Sequence, residues 1–399
     1  MPQSRSLPGM AALVSAAVLS AAVLTASAGA GAAQATGTAA HPIGGPALAS
    51  TGVVVDAPGA GRLPKLSARS FVLADLDTGE ILAARNPHGR LRPASTLKVL
   101  TAVTLLPKLD PATVYTAQFQ DAQADGSKVG VVPDATYTVH NLFQALFLMS
   151  GNDAASALAN AAGGVAPTVA GMNAKARELG ALDTSVRNPS GLDAPGQYSS
   201  AYDLALFARA GLERQDFRGY VTTVKSSFPG KMPKAGKARK TFEIYTQDKL
   251  LLRYRGAIGV KTGWTTKARG TFVGAATRDG RTLVATVMHT GQASWSESAA
   301  LLDWGFANAP SAQPVGTLNQ SAPTQAASVR HPGAAASGAR KAAAASSAGP
   351  AMPGWAWVPV LLLGSVVALR TRVLLRRRRR RARLAPPADR RRSASSLRS

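Results

Sequence analysis

Three short motifs stand in fixed order along this chain: Ser95-Thr96-Leu97-Lys98, Ser150-Gly151-Asn152 and Lys261-Thr262-Gly263. Each carries side chains able to move a proton or hold a charge. A Ser hydroxyl becomes a useful nucleophile when a neighbouring base takes its proton. Ser95 and Lys98 are spaced i, i+3, which on a helix puts two side chains on one face with Cβ atoms about 5–6 Å apart. A Lys amine can be that base only when neutral, so its pKa must be pulled well below about 10.4 by burial or by a second cation. Lys261 is the candidate cation if its strand lines the same cleft.

Taken singly, each motif has a bland explanation. A Ser-x-x-Lys is expected about once in a chain of this size and describes a surface helix pair equally well. Here Leu97, Val99, Leu100, Val103, Leu105 and Leu106 make the segment strongly apolar and point to a buried helix. Ser150-Gly151-Asn152 follows the apolar run Leu142-Phe143-Gln144-Ala145-Leu146-Phe147-Leu148-Met149. Ser and Asn there cap a helix from Asp153, or their hydroxyl and amide relay a proton to a leaving amine and hold a substrate amide. Lys261-Thr262-Gly263 ends a predicted strand. Gly263 permits close backbone approach, and a ligand added along the strand would find Lys261 and Thr262 as carboxylate partners. The alternative is an ordinary exposed strand end, although Lys-Ser/Thr-Gly is expected only about 0.1–0.2 times in such a chain.

Other chemistries find less support. No Gly-x-Ser-x-Gly elbow occurs, and the five His residues (His41, His88, His140, His289, His331) form no His-Glu-x-x-His zinc pattern. With no Cys in 399 residues, a disulfide framework and a cysteine-ligated metal are excluded. No metal and no cofactor is expected.

The elements that must position these residues follow from the pattern. Ser70–Leu76 and Glu80–Ala84 around Asp77-Thr78-Gly79 read as a β-hairpin. A helix is predicted from Pro93 to about Leu106, and a mostly helical middle over Thr138–Ala162, Val165–Leu179 and Ser200–Ala210. Strands are predicted at Ala257–Lys261, Gly270–Thr277 and Thr282–His289, with Asp279-Gly280 as a hairpin turn, and a closing amphipathic helix at Ser294–Ala307. Two strands at the start, three at the end and a helical insert give one five-stranded antiparallel sheet flanked by helices, beside a mainly helical subdomain, an α/β plus α class. The cleft between them is the natural site. The basic segment Lys225 to Lys240 reads as a solvated or cleft-edge loop.

The ends suggest export and anchoring. Arg5, the apolar Met10–Leu24 stretch and small-residue sites up to Ala35 read as a signal peptide over 1–35. Residues 36–61 read as a disordered lead-in, 62–308 as the catalytic domain and 309–351 as an Ala/Ser/Pro-rich linker with a coil span of about 35–40 Å. An apolar stretch from Met352 reads as a transmembrane helix over 352–375, with Trp355 and Trp357 at one edge and arginines at the other. Residues 376–399 read as a basic cytoplasmic tail. The net charge is +25, but residues 370–399 hold 13 Arg and one Asp. That run is a topology signal beside a membrane, and with no readout motif beside it nucleic acid is not an expected partner. The expected location is the cell membrane, single-pass, with the catalytic domain on the extracytoplasmic side.

The ordered trio resembles the penicillin-recognising serine acyl-transferases, the penicillin-binding proteins and serine β-lactamases. Within them the body resembles the low-molecular-mass D-alanyl-D-alanine carboxypeptidases. The resemblance runs from about Ala68 to Thr290 and rests on Leu76-Asp77-Thr78-Gly79-Glu80, Arg92-Pro93-Ala94-Ser95-Thr96-Leu97-Lys98, Leu148-Met149-Ser150-Gly151-Asn152-Asp153-Ala154, Asn188-Pro189-Ser190-Gly191-Leu192-Asp193 and Gly259-Val260-Lys261-Thr262-Gly263-Trp264-Thr265. It implies the β-lactamase/transpeptidase-like fold and a serine-type removal of the terminal D-Ala from peptidoglycan stem pentapeptides. It further implies Ser95 as nucleophile, Lys98 as base, Ser150 as proton shuttle and Asn152 as ligand of the acyl-side amide. Lys261 and Thr262 would hold the terminal carboxylate beside Gly263, the Ser95 and Trp264 N–H groups would form the oxyanion hole, and β-lactam antibiotics would acylate Ser95. Two departures stand out: Asp248-Lys249-Leu250-Leu251 where relatives usually begin with Asn, and no Arg in His289-Thr290-Gly291-Gln292. A D,D-endopeptidase or weak transpeptidase would use the same site, and a non-catalytic penicillin-sensing wall protein would keep the fold without turnover. A β-lactamase fits less well, with Ser-Gly-Asn in place of Ser-Asp-Asn and no Glu-x-x-Leu-Asn.

Overall fold

The computed structural model describes residues 43–291 and 293–319. The expected signal peptide, most of the linker, the expected membrane span and the basic tail lie outside the described residues. Among the described residues no helix is long and apolar enough to cross a membrane.

The chain opens with a 3-10 turn at Pro46–Ala49 and strand β1 (Val53–Val55), followed by β2 (Ser70–Asp75) and β3 (Glu80–Arg85). A second 3-10 turn, Ala94–Leu97, runs directly into α1 (Lys98–Leu105). Next come β4 (Val114–Thr116), α2 (Phe119–Ala122), β5 (Thr136–Thr138), α3 (Val139–Leu148), α4 (Asn152–Ala161), α5 (Val165–Glu178), α6 (Ala201–Leu212) and α7 (Gln215–Thr222). The chain continues through β6 (Lys225–Pro229), β7 (Thr241–Tyr245), α8 (Lys249–Arg253), β8 (Ala257–Thr265), β9 (Arg269–Arg278), β10 (Arg281–Thr290), α9 (Ser294–Asn308) and β11 (Gly316–Thr317).

The main sheet is antiparallel, in the order β1-β3-β2-β10-β9-β8, with β11 also on β3. It is buried on both faces, and the period-2 alternation of a strand assigns its residues to two cores. Val72, Ala74, Ile81, Val273 and Val284 pack with residues of α1, α3 and α6. Phe71, Leu73, Leu82, Leu283 and Val287 pack with Leu301, Leu302 and Trp304 of α9. The mainly helical portion packs against the first of these faces. This matches the expected class, and β2, β3, β8, β9 and β10 are the five expected strands.

Four expectations need correction. The folded body extends past 62–308 at both ends, because β1 and β11 lie along the outer edge of β3, with Val53 opposite Arg85 and Gly316 opposite Ile81. Part of the supposed disordered lead-in and the start of the supposed linker thus cover a sheet edge that would otherwise be open. Leu48 and Leu318, 1% and 2% exposed, anchor the two arms, and Thr317 N–H donates to Gly44 O at 2.8 Å. Bulk composition hid these small apolar insets. Second, the helix predicted from Pro93 begins as a 3-10 turn, with Ala94 at φ 49°. Third, the break expected at Ser150-Gly151 within the helical run 138–162 is present, with Ser150 at φ 54°, but α4 starts at Asn152, one residue before the expected Asp153. Fourth, the basic segment is a hairpin of β6 and β7. Arg239 closes it, donating to Gly230 O from Nε at 2.9 Å and Nη2 at 2.7 Å.

At the head of α4, Asp153 is fully buried and accepts from the N–H groups of Val129, Gly130 and Val131 at 3.0, 2.8 and 2.9 Å. It ties the loop after α2 to the Ser150 turn. Asp153→Ala would strand three backbone donors and is expected to cost on the order of 3 kcal/mol. Chemical denaturation measures this; a loss below about 1 kcal/mol would contradict the assigned role.

Candidate active site

The nucleophile turn is built by sequence-local geometry. In a 3-10 turn residues i and i+3 eclipse one another, so Lys98 sits above Ser95, with Nζ 3.0 Å from Oγ. Thr96 and Thr271 hydroxyls both donate to Pro93 O, at 2.5 and 2.9 Å, fastening the turn to β9. Thr101 on α1 donates to Pro189 O at 2.7 Å, which docks the 188–192 loop. Gly191 has φ 84°, and a Cβ there would fall 1.9 Å from Ala94 O, so only glycine lets this loop press on the turn that carries Ser95.

Lys98 is wholly buried. Its Nζ also lies 2.6 Å from Asn152 Oδ1 and 2.7 Å from the backbone oxygen of Ser190. Both of those partners can only accept. A neutral amine has two N–H bonds and one lone pair. Two acceptors and one hydroxyl accommodate the three N–H of the ammonium as well as the neutral amine, and in the neutral form the lone pair faces the Ser95 proton. The electrostatics agree: burial first, then the Lys261 cation, holds the Lys98 amine well below the ordinary lysine range, against a weaker upward pull from Asp153.

Lys261 is also buried, 1% exposed, and donates to Thr262 O at 2.8 Å. Burial pushes its pKa down to about 7, with Asp248 pulling the other way. The expected contrast between a neutral Lys98 and a firmly charged Lys261 is therefore softer than the sequence suggested, because the same desolvation acts on both.

The other expected residues gather around this pair. Ser95, Asn152 and Trp264 line a cleft of about 770 Å³ together with Asp125, Asp193 and Lys267. Thr262, Gly263 and Trp264 line an adjoining recess of about 300 Å³ with Ser294. Ser150 is buried in the left-handed region at the turn into α4, two residues before Asn152. The capping reading fails for it: α4 begins at Asn152 with Gly151 as its N-cap and no side-chain cap. Asn152 donates from Nδ2 to Asp125 O at 2.5 Å while its Oδ1 holds Lys98, so the amide keeps one N–H and one lone pair for a ligand.

Several contributors were not assigned roles from sequence. The Ser190 carbonyl orients Lys98; its block was visible, but a backbone oxygen carries no residue-type signal. Asn188 Oδ1 shapes that loop by accepting from Gly191 N–H at 2.9 Å and Ser190 Oγ at 2.9 Å. Ser294, at the start of α9, reaches the Thr262 recess across more than thirty residues of chain, a proximity only the fold reveals.

Gly263 bears a constraint at the reacting atoms themselves. A Cβ there would lie 2.9 Å from Ser95 N and 2.4 Å from Thr271 Oγ1. The β8 backbone therefore runs directly against the N–H that would receive a developing oxyanion. Gly263→Ala is expected to slow acylation of Ser95 at least about tenfold by displacing that donor, read by intact mass after timed exposure to an acylating β-lactam; an unchanged rate would contradict the placement.

Comparison with known proteins agrees with this geometry. Residues 57–292 match the family described as D-alanyl-D-alanine carboxypeptidase. The chain is 44% identical over 263 residues to D-alanyl-D-alanine carboxypeptidase DacB2 of Mycobacterium tuberculosis, covering 64% of this chain and 88% of that protein. It is 31% identical over 247 residues to the carboxypeptidase DacF of Bacillus subtilis, covering 60% of this chain and 62% of that one. Among solved structures, a D-alanyl-D-alanine carboxypeptidase from Mycobacterium tuberculosis superposes with a TM-score of 0.62 at 42% identity, over 66% of this chain and all of that one. A Streptomyces DD-transpeptidase gives 0.58 at 29% identity, over 62% and 100%. Motif order, the lysine–serine geometry and these likenesses lead to one assignment: the chain belongs to the D-alanyl-D-alanine carboxypeptidase family of serine peptidases.

Proposed function

We propose that this protein is a serine-type D-Ala-D-Ala carboxypeptidase that removes the terminal D-Ala of peptidoglycan stem pentapeptides. The observation that carries the mechanism is the Lys98 amine, buried with two pure acceptors and turned to Ser95 at 3.0 Å. Ser95 Oγ attacks the carbonyl carbon between the two D-Ala residues while its proton passes to Lys98 Nζ. The oxyanion is met by the N–H groups of Ser95 and Trp264. Lys261 and Thr262 hold the terminal carboxylate, and Asn152 adds its remaining N–H or lone pair to the acyl-side amide. As the C–N bond breaks, the proton returns through Ser150 to the departing amine. Water then attacks the ester and gives its proton to Lys98, which passes it to the departing Ser95 Oγ as the C–O bond breaks, freeing the shortened peptide and restoring both groups. A β-lactam carries the same carbonyl and carboxylate and leaves Ser95 acylated.

The catalytic body is placed outside the cytoplasmic membrane, exported by the 1–35 signal and held through the linker by the 352–375 helix with the 376–399 tail inside. The three-part N-terminal pattern, the aromatic edge and the arginine run support this placement. A D,D-transpeptidase or endopeptidase reading has one specific support, the likeness to a Streptomyces DD-transpeptidase, since acylation is shared and only the acceptor differs.

Incubation with a pentapeptide ending in D-Ala-D-Ala should release one Ala by mass, and Ser95→Ala should release none and lose labelling by fluorescent penicillin. Equal labelling of both would overturn the serine assignment, and cleavage of cross-linked dimers alone would move the activity to endopeptidase. The pH profile is also set. Lys98 must be neutral, so activity falls as acid protonates it. Lys261 must be cationic, and with a pKa of about 7 it loses charge as pH rises. The alkaline limb of kcat/KM is therefore expected near 7, and that of kcat higher, because a bound carboxylate favours the cation. An alkaline limb above 10 in kcat/KM would contradict the buried state of Lys261.

A further inference from the structure

Asp248 is 5% exposed and stands at the head of α8. Its Oδ1 accepts from Leu250 N–H at 2.8 Å and Leu251 N–H at 3.1 Å, an ordinary helix cap. Its Oδ2 is equally buried and has no hydrogen-bond partner. Capping explains one oxygen and leaves the other without a function, although a buried carboxylate oxygen without a donor is costly. An Asn or Ser would cap as well without that cost.

The backbone shows where this carboxylate lies. Gln247 N–H donates to Leu148 O at 3.1 Å, at the end of α3 and two residues before Ser150. Leu250 lies against Gly274, where a Cβ would come 2.7 Å from its Cδ2, and Gly274 pairs with Val260, the neighbour of Lys261. Asp248 therefore sits on the segment that bridges the Ser150 turn and the inner side of β8 at Lys261. Burial holds the Asp248 carboxyl above its usual range, with the Leu251 and Leu250 N–H groups and then Lys261 drawing it back, and Asp248 in turn draws the buried Lys261 amine up. Other charges around α8 are turned elsewhere. Lys249 and Arg253 on α8 are exposed, Arg253 over the Trp295 ring. On α9, Glu297 accepts from the Ser67 hydroxyl and the Ala68 N–H, and Asp303 accepts from the Tyr254 hydroxyl and the Arg278 guanidinium. Lys98, the second buried amine nearby, is held neutral, and the Lys261 charge is one cause of that.

We propose that Asp248 is a positioning residue for substrate recognition: its free carboxylate oxygen keeps Lys261 cationic inside the fold, so that the site stays selective for substrates ending in a carboxylate. Without it, burial alone would act on the Lys261 charge. This rests on the carboxypeptidase reading for its substrate, and the test separates the two.

Asp248→Asn and Asp248→Ser both keep a capping oxygen and remove the charge. The pKa of Lys261 is read directly by NMR titration of its ε-carbon in each folded variant, with Lys261→Arg identifying the resonance. In parallel, the pH dependence of Ser95 acylation by benzylpenicillin and of pentapeptide hydrolysis is measured, with a C-terminal carboxamide peptide as control. Lys261 is expected to titrate at least about half a pH unit lower in both variants, lowering acylation about threefold above pH 8 and less than twofold at pH 6. The acid limb and the carboxamide rate should be unchanged. An unmoved Lys261 titration, or equal losses for carboxylate and carboxamide substrates, would overturn the proposal and leave Asp248 as a cap alone. A moved titration with no D-Ala release from the unmodified protein would support the coupling and instead defeat the carboxypeptidase reading.

Discussion

The Lys98 amine is the group around which the rest of the molecule is arranged. An ammonium in a site fully closed to water would cost several kcal/mol, and the fold removes that cost by stabilising the neutral form. Burial and the Lys261 cation disfavour the ammonium, while Asn152 Oδ1 and the Ser190 carbonyl take two N–H bonds and leave the third direction to Ser95. Each partner comes from a different part of the chain, so the base is assembled by tertiary structure. The strained residues lie at the junctions: Ala94 before the nucleophile and Ser150 at the α3–α4 break both occupy the left-handed region. Such strain persists when the surrounding contacts over-determine it, and here threonine hydroxyls, Asn188 and the Asp153 carboxylate do so.

A second consequence of the same burial is the state of Lys261. Two lysines within one dry region cannot both hold their charge at ordinary lysine pKa values. The structure separates them by their surroundings: Lys98 has neutral acceptors and a second amine nearby, whereas Lys261 has the Asp248 carboxylate acting on it. The division of labour between base and carboxylate receptor thus comes from environment and not from residue type.

Much of this was legible in the sequence, for identifiable reasons. Strands β2, β3, β8, β9 and β10 announced themselves by apolar runs around Asp77-Thr78-Gly79 and Asp279-Gly280 turns. The three motifs fixed the order of the site. The 3-10 character of the Ser95 turn did not show, because an i, i+3 pair is equally compatible with an α-helix. β1 and β11 did not show either: Val53-Val54-Val55 is three residues long in an Ala/Gly/Pro-rich context, and the partner of Gly316-Thr317 is more than two hundred residues away. The Ser190 carbonyl and the free oxygen of Asp248 were invisible for another reason. Their importance lies in what surrounds them, and residue identity does not encode that.

The central claim, that Lys98 is held neutral so that it can take the Ser95 proton, can be tested without turnover. Titration of the Lys98 ε-carbon by NMR in the folded, unliganded protein, assigned through its loss in Lys98→Arg, should show an amine that titrates well below the ordinary lysine range. A Lys98 that titrates near 10, as a solvated lysine does, would contradict the account.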